Sequence, residues 1–481
     1  MDMDQFLETS ANSSILQEYV IYHRRCCIPN TAAPDRLHQR LYRSKGHMRT
    51  KSILFLCFTL VFMLTLGGVA MAQDDVVTIN FWRPDRSPES DPPAIWDDTG
   101  DLITAWAEEH PNIQVNINPI PFNELDTTQL TALRAGSSDV DVLLVNHVTI
   151  GAAIGTGGLE PLDDCIASQE SMVAEDWIPG LYAAGQREGV QYTVPFDTDT
   201  RVMYYNKALL EEAGIETVPE TWDDLYAAFD AIEALGGDAA PFYYPGLNKW
   251  FVLYHTIGPW LVQKQTSFLN PDGNASTTLD QATVEAWEHA IKLASYAPEA
   301  SLTYNGEELE PLFAQGRMGF LFNGVWSVPT LAEMTDGEWN PGEEYGLALI
   351  PGPEAGMTGS ANGGFHMAMA AASQNKEAAC EFIAWATSPE VMAVATKDHI
   401  PTRVGAQETE FFQDFVGDNE ATLLSLDQSV SGGLPVPAVV ELPEIADLVL
   451  RQYNRAAIGE VSAQQALEEL DQEITDLLSR R

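Results

Sequence analysis

Past residue 75 the chain changes period repeatedly, and each change predicts an element. VVTINFW, from Val76 to Trp82, alternates as a strand does, whereas GDLITAWAEEH sets Leu102, Ile103 and Trp106 on one helical face. NIQVNI alternates again through Ile113, Val115 and Ile117, which predicts a second strand. A helical segment around Leu125 to Leu133 then leads to DVDVLLVNH, a continuous apolar run suited to a strand covered on both faces. Strands and helices that take turns in this way predict an α/β layer fold.

Further along, PFDTDTRVMYYNKALLEEAGI places a polar, acid-bearing stretch before a buried aromatic pair and then starts a helix at once. Asn206 is suited to cap that helix, Lys207 to Ala213 to form it, and Gly214 to stop it in the left-handed region. PETWDDLYAAFDAIEALGG repeats the device, with Thr221 as cap, Asp223 and Asp224 at the positive end, Leu225, Phe229 and Ile232 inward, and Gly236 as terminator. TTLDQATVEAWEHAIKLASY predicts a helix burying Val284, Trp287 and Ile291, and SAQQALEELDQEITDLLSRR an amphipathic closing helix. There is no internal repeat. The length of 481 residues, with 45% hydrophobic, allows two sizeable cores, so two lobes that exchange strands are expected.

The first 72 residues do not follow these patterns. Arg49 and Lys51 precede an apolar run from Ile53 to Val69, and Ala70-Met71-Ala72 follows, as a signal peptidase requires. Cleavage is expected after Ala72, with residues 1–47 a polar lead and Met48 the expected start; an uncleaved membrane anchor is the competing reading. Eight Lys/Arg and five Asp/Glu fall in this segment, which leaves 17 basic and 65 acidic residues beyond it and a net charge near −48. Such a surface repels nucleic acid and anionic lipid. Cys165 and Cys380 are the cysteines left after the leader, without C-x-x-C spacing, and either a disulfide or two buried thiols fits them.

Catalytic motifs are missing. The sequence has no G-x-S-x-G or H-E-x-x-H, and His110, His147, His255, His289, His366 and His399 lack ligand spacing, so no metal or cofactor is expected. Asp163-Asp164 and Asp197-x-Asp199 could supply a glycosidase's carboxylates, which stand about 5–9 Å apart, but such pairs arise by chance in an acid-rich chain. NPDGNAS, Asn270 to Ser276, reads as a turn rather than a calcium loop. Open α/β sheets bind ligands at the carboxyl ends of their strands, which makes Asn146 a candidate contact, in competition with a simple turn former. Trp82, Trp250, Trp260 and Trp326 fall at strand exits or helix flanks, where an indole face beside amides and carboxylates suits a sugar; the competing role for each is a core or hinge filler.

At PFDTDTRVMYYNKALLEEAGI the sequence resembles the extracellular solute-binding proteins of family 1, the maltose-binding-protein-like, carbohydrate-binding components of ABC importers. PETWDDL, DVLLVN…GGLEPLDD, LFAQGRMGFLFNGVWSVP, GGFHMAM…SQNKEAACEFIAWATSPEVM and IPTR carry the likeness across nearly all of the chain beyond the leader. The resemblance implies a two-lobed periplasmic-binding-protein fold of the α/β class, its lobes joined by crossing hinge segments and a sugar held between them. It implies crossings at Pro195 to Thr200, near Asn323 to Trp326 and near ASQNKEA. The expected division is 73–194 plus about 325–373 for the first lobe, and 195–324 plus about 374–481 for the second. The residues implied to meet ligand are Asn146, Asp197, Asp199, Trp326, Gly364, Phe365 and Arg403, beside the tryptophans above. The implied function is an exported, monomeric receptor, periplasmic or extracellular, that hands a sugar or oligosaccharide to a membrane permease and is not an enzyme. A same-fold receptor for another solute such as a polyamine, or a secreted glycosidase, are the alternatives.

Overall fold

The structure, a computed structural model, describes residues 76–85, 101–396, 399–417, 419–430, 432–433 and 436–480. The expected lead at 1–47 and the signal segment to Ala72 lie outside them. In chain order, β1 (Val77–Asp85), α1 (Asp101–Glu109), β2 (Ile113–Pro121), α2 (Phe122–Ala135) and β3 (Val142–Asn146) come first. Then follow α3 (Asp163–Ser168), the two-residue strands β4 (Gln186–Arg187) and β5 (Val190–Gln191), β6 (Thr193–Thr198) and β7 (Val202–Asn206). α4 (Lys207–Glu212), α5 (Trp222–Leu235), α6 (Gln281–Ala294), β8 (Phe320–Asn323) and β9 (Tyr345–Ala348) succeed them. The chain ends with β10 (Phe365–Met369), α7 (Lys376–Ala386), β11 (Ile400–Pro401), α8 (Leu442–Ala457) and α9 (Ala463–Leu478).

The predicted periods become two sheets. The larger has the order β11-β6-β10-β3-β1-β2. β1 runs parallel to β2 and β3, while β10 lies antiparallel between β3 and β6, so the carboxyl ends of β1, β2, β3 and β6 share one edge with the amino end of β10. Val142, Leu143, Leu144 and Val145 are all buried, as a strand covered on both faces requires. The smaller sheet has the order β8-β7-β9, and the period of two divides its residues between two cores. Met203, Phe320 and Phe322 join Phe229, Trp260, Trp287 and Tyr453 on one side, and Val202, Tyr204, Leu321, Tyr345 and Leu347 join Phe313 on the other. The aromatic pair expected to be buried together therefore splits: Tyr204 is fully buried and Tyr205 half-buried on the opposite face.

Local signals act where expected. Asn206 Oδ1 accepts the Leu209 N–H at 3.1 Å, Gly214 has φ +70°, and Thr221 and Asp224 form a reciprocal capping box. Leu225, Phe229 and Ile232 of α5 are fully buried. In α6, Trp287 is buried as expected but Val284 and Ile291 are only half-buried. Thr283, Ala286, Ala290 and Leu293 are buried with Trp287 and make the inner face instead. Asn270 closes the NPDGNAS turn by accepting from the N–H groups of Asn274 and Ala275. Cys165 in α3 and Cys380 in α7 are joined in a disulfide with Cα atoms 5.7 Å apart.

Strand pairing divides the chain differently from the expected lobe boundaries. β6 stays in the larger sheet to Thr198, β9 pairs with β7 in the smaller one, and α7 packs on β1 and β10 before β11 rejoins β6. Partner strands decide membership, and these partners lie far apart in sequence. The first crossing thus reduces to Asp199, Thr200 and Arg201, between β6 and β7.

Candidate functional site

The shared edge of the larger sheet gathers several expected residues. Phe365, at the start of β10, stands opposite both Asn146 and Asp197. Asn146 is half-buried and acts in part as the turn former, its Oδ1 accepting the Val148 N–H at 3.3 Å. Asp197 is buried, and its Oδ1 accepts the Phe365 N–H at 2.7 Å. Gly364 has φ +108°, and a Cβ there would come within 2.3 Å of the Asp197 carbonyl oxygen, so only glycine lets these strands close.

Asp199 turns toward Arg201, two residues on in the crossing. Its Oδ1 accepts from Arg201 Nη1 at 2.7 Å, and the same nitrogen donates to the Ala361 carbonyl at 3.0 Å. Arg201 Nη2 lies 2.9 Å from His255 Nε2. Since an arginine can only donate, Nε2 is the acceptor and Nδ1 carries the imidazole proton, facing the Phe322 carbonyl. His255 belongs to a π-helical stretch, Val252–Ile257, a rare geometry that often marks functional positions. Burial holds the His255 pKa well below the usual histidine value, and the Arg201 charge pushes the same way. Burial likewise lowers the Arg201 pKa, against the pull of Asp199. His147 is lowered to about 4, by burial first and then by Arg201.

Trp326 completes this group. Its indole is half-buried, with the Arg201 guanidinium carbon 5.7 Å from the ring centroid, His255 at 6.1 Å and His399 stacked at 5.9 Å. Phe251 stacks on His255 at 4.2 Å. Trp250, also half-buried, has Lys249 Nζ 5.2 Å from its ring centroid and hydrogen-bonds Asp126 of α2. Burial raises the Asp126 pKa to about 6, against the lowering effects of Trp250, Thr149 and Lys249.

Three expected contacts sit elsewhere. Trp260 is buried in the core beside Trp222, His289 and Phe322. The Trp82 indole donates to the Asp139 carbonyl at 3.1 Å, at the opposite end of β3 from Asn146. Arg403 is a buried structural tie: Nε meets Asp176 at 2.7 Å, Nη1 the Thr387 carbonyl at 2.8 Å and Nη2 the Ser171 carbonyl at 2.7 Å, so all three guanidinium nitrogens are engaged within the protein. Sequence reasoning did not single out Arg201, His255, Phe251, His399 or Asp126. The Asp-x-Arg spacing of 199 and 201 was the available signal for the first of them.

Among the described residues no group of three or more His, Cys, Asp or Glu side chains could hold a metal ion, and no helix is long and apolar enough to cross a membrane. Comparison with known proteins adds the following. A putative binding protein of Brucella abortus is 26% identical over 356 residues, covering 74% of this chain and 83% of its own. The diacetylchitobiose binding protein DasA of Streptomyces coelicolor is 29% identical over 272 residues, covering 54% of this chain and 59% of its own. The GacH receptor of Streptomyces glaucescens, solved unliganded and with acarbose, superposes with a TM-score of 0.69 at 24% identity over 84% of this chain and 98% of its own, which shows the two-lobed α/β fold. The family of bacterial extracellular solute-binding proteins matches residues 94–393, more than half of the sequence, and the chain belongs to that family.

Proposed function

We propose that this protein is the extracytoplasmic receptor of an ABC importer and binds an uncharged sugar or oligosaccharide with Asn146, Asp197, Asp199 and Trp326 as its contacts. The observation that carries the reading is Trp326, a half-buried indole just after β8 with the guanidinium of Arg201, itself bonded to the Asp199 carboxylate, over its ring. An indole face takes the C–H face of a sugar ring, and carboxylates and amides take its hydroxyls. The names of the relatives, a diacetylchitobiose binding protein and a receptor solved with acarbose, support a saccharide. The bond between Asp199 and Arg201 speaks against a polyamine, because that carboxylate is already neutralised. Closing of the lobes would bury the ligand and present one form to the permease. Export by a leader ending at Ala72 and action as a monomer belong to the same reading.

Calorimetry with a panel of neutral saccharides that includes diacetylchitobiose and acarbose tests it. A micromolar ligand, about 8 kcal/mol, is expected, weakened at least tenfold in both Trp326→Ala and Asp199→Asn. Absence of any saccharide heat from the native protein overturns the function; unchanged affinity in both variants overturns the site.

A further inference from the structure

Arg201 is a buried, permanently charged group in a three-residue crossing, and it touches everything the crossing joins. Its backbone N–H donates to Ser360 Oγ at 2.9 Å, and its guanidinium reaches Asp199, the Ala361 carbonyl and His255. Its guanidinium carbon lies over the Trp326 ring, 5.7 Å from the centroid. We propose that Arg201 is the specificity-determining residue that closes this site to cationic solutes. The proposal rests on reading the site as one for uncharged saccharides.

The argument is one of charge. The formal net charge of the chain is −45, so cations gather around it, and two carboxylates stand two residues apart at the crossing. Asp197 is engaged with a backbone N–H, and the neighbouring imidazoles of His147 and His255 are neutral because they are buried. Arg201 is therefore the cation that balances Asp199. Removing it would leave a carboxylate beside an indole, a combination that attracts ammonium groups. With Arg201 in place, an ammonium approaching Trp326 meets a fixed positive charge that bulk salt screens poorly. A lysine would keep this charge but lose the planar fork that holds Asp199, Ala361 and His255 together.

The test titrates spermidine and the neutral saccharide panel into the full protein and its Arg201→Met, Arg201→Gln and Arg201→Lys variants, by calorimetry at low and at 0.15 M salt. Spermidine is expected to bind Arg201→Met and Arg201→Gln at least tenfold more tightly than the native protein, with the gain abolished by adding Asp199→Asn. Arg201→Lys is expected to show no such gain while binding saccharide more weakly. A merely structural Arg201 would lower the unfolding temperature of all three variants and leave spermidine affinity where it was. Unchanged spermidine affinity in whichever of the Met and Gln variants folds, or an equal gain in Arg201→Lys, overturns the proposal. Where neither neutral variant folds, Arg201→Lys decides: a tenfold gain in spermidine affinity in that variant, whose charge is unchanged, overturns the proposal. Spermidine binding by the native protein without any saccharide binding instead overturns the sugar reading, so the two failures are distinct.

Discussion

The two sheets are held by different means. In the larger, β10 and β11 return from far along the chain to pair with β3 and β6, and a disulfide spans 215 residues to bind α3 to α7. Around the smaller, three short antiparallel strands carry little ladder of their own, and one side of them is packed by Phe229, Trp260, Phe268, Trp287 and Tyr453. A continuous ladder with a covalent tie can tolerate modest side chains such as Val142 and Val145. A three-stranded sheet needs large rings, because each buried aromatic supplies more apolar area than an aliphatic side chain.

The largest effect should fall on the smaller sheet. Trp287 is fully buried and its indole donates to the Ala463 carbonyl, which joins α6 to the start of α9. Trp287→Ala is expected to cost about 3–5 kcal/mol in urea unfolding. Cys165→Ser should cost about 2–5 kcal/mol and do so through the larger sheet. If the cysteine variant proves the more damaging of the two, the contrast between packing and tying is reversed.

A smaller effect sharpens the contrast where the two regions meet. Asp126 extends from α2 on the larger sheet's side to hydrogen-bond Trp250, which packs on the smaller sheet's core. Its folded pKa, about 6, lies above the ordinary carboxylate value of 3.8, so the native state holds this proton more tightly than the unfolded state does. The sign follows: stability from this group is full below about pH 4 and is lost as pH rises through 6, by less than about 3 kcal/mol. Asp126→Asn should flatten that slope in thermal unfolding between pH 4 and pH 6.5. An unaltered slope would mean that another group carries the coupling.

What could be read from the chain follows distance along it. The caps at Asn206 and Thr221 and the stop at Gly214 depend on atoms within four residues, and the structure places each as expected. The disulfide stayed open because nothing near Cys165 or Cys380 in sequence points to the other. The α/β class was legible from periodicity, but sheet membership was not, since β9 and β10 are near neighbours in sequence and pair in different sheets. Among the expected contacts, Trp326 lies beside Arg201 of the crossing, and its motif was the signal that pointed to it. Trp260 was misleading, because sequence proximity to an exit says nothing about which way a helix turns its ring. Arg201 escaped notice because an arginine before VMYY reads as an ordinary flank, and its partners His255 and Ala361 lie far along the chain.

The bond between Cys165 and Cys380 makes a closed loop of everything from α3 to α7, and the first crossing and all three strands of the smaller sheet lie inside that loop. A protease that nicks any surface turn within it, such as the one at Asn270 to Ser276, therefore releases no fragment. Under denaturing conditions the cut chain stays in one covalent piece until a thiol is added and only then separates into two, so a single nick inside the loop does less to dismantle the protein than its backbone alone suggests.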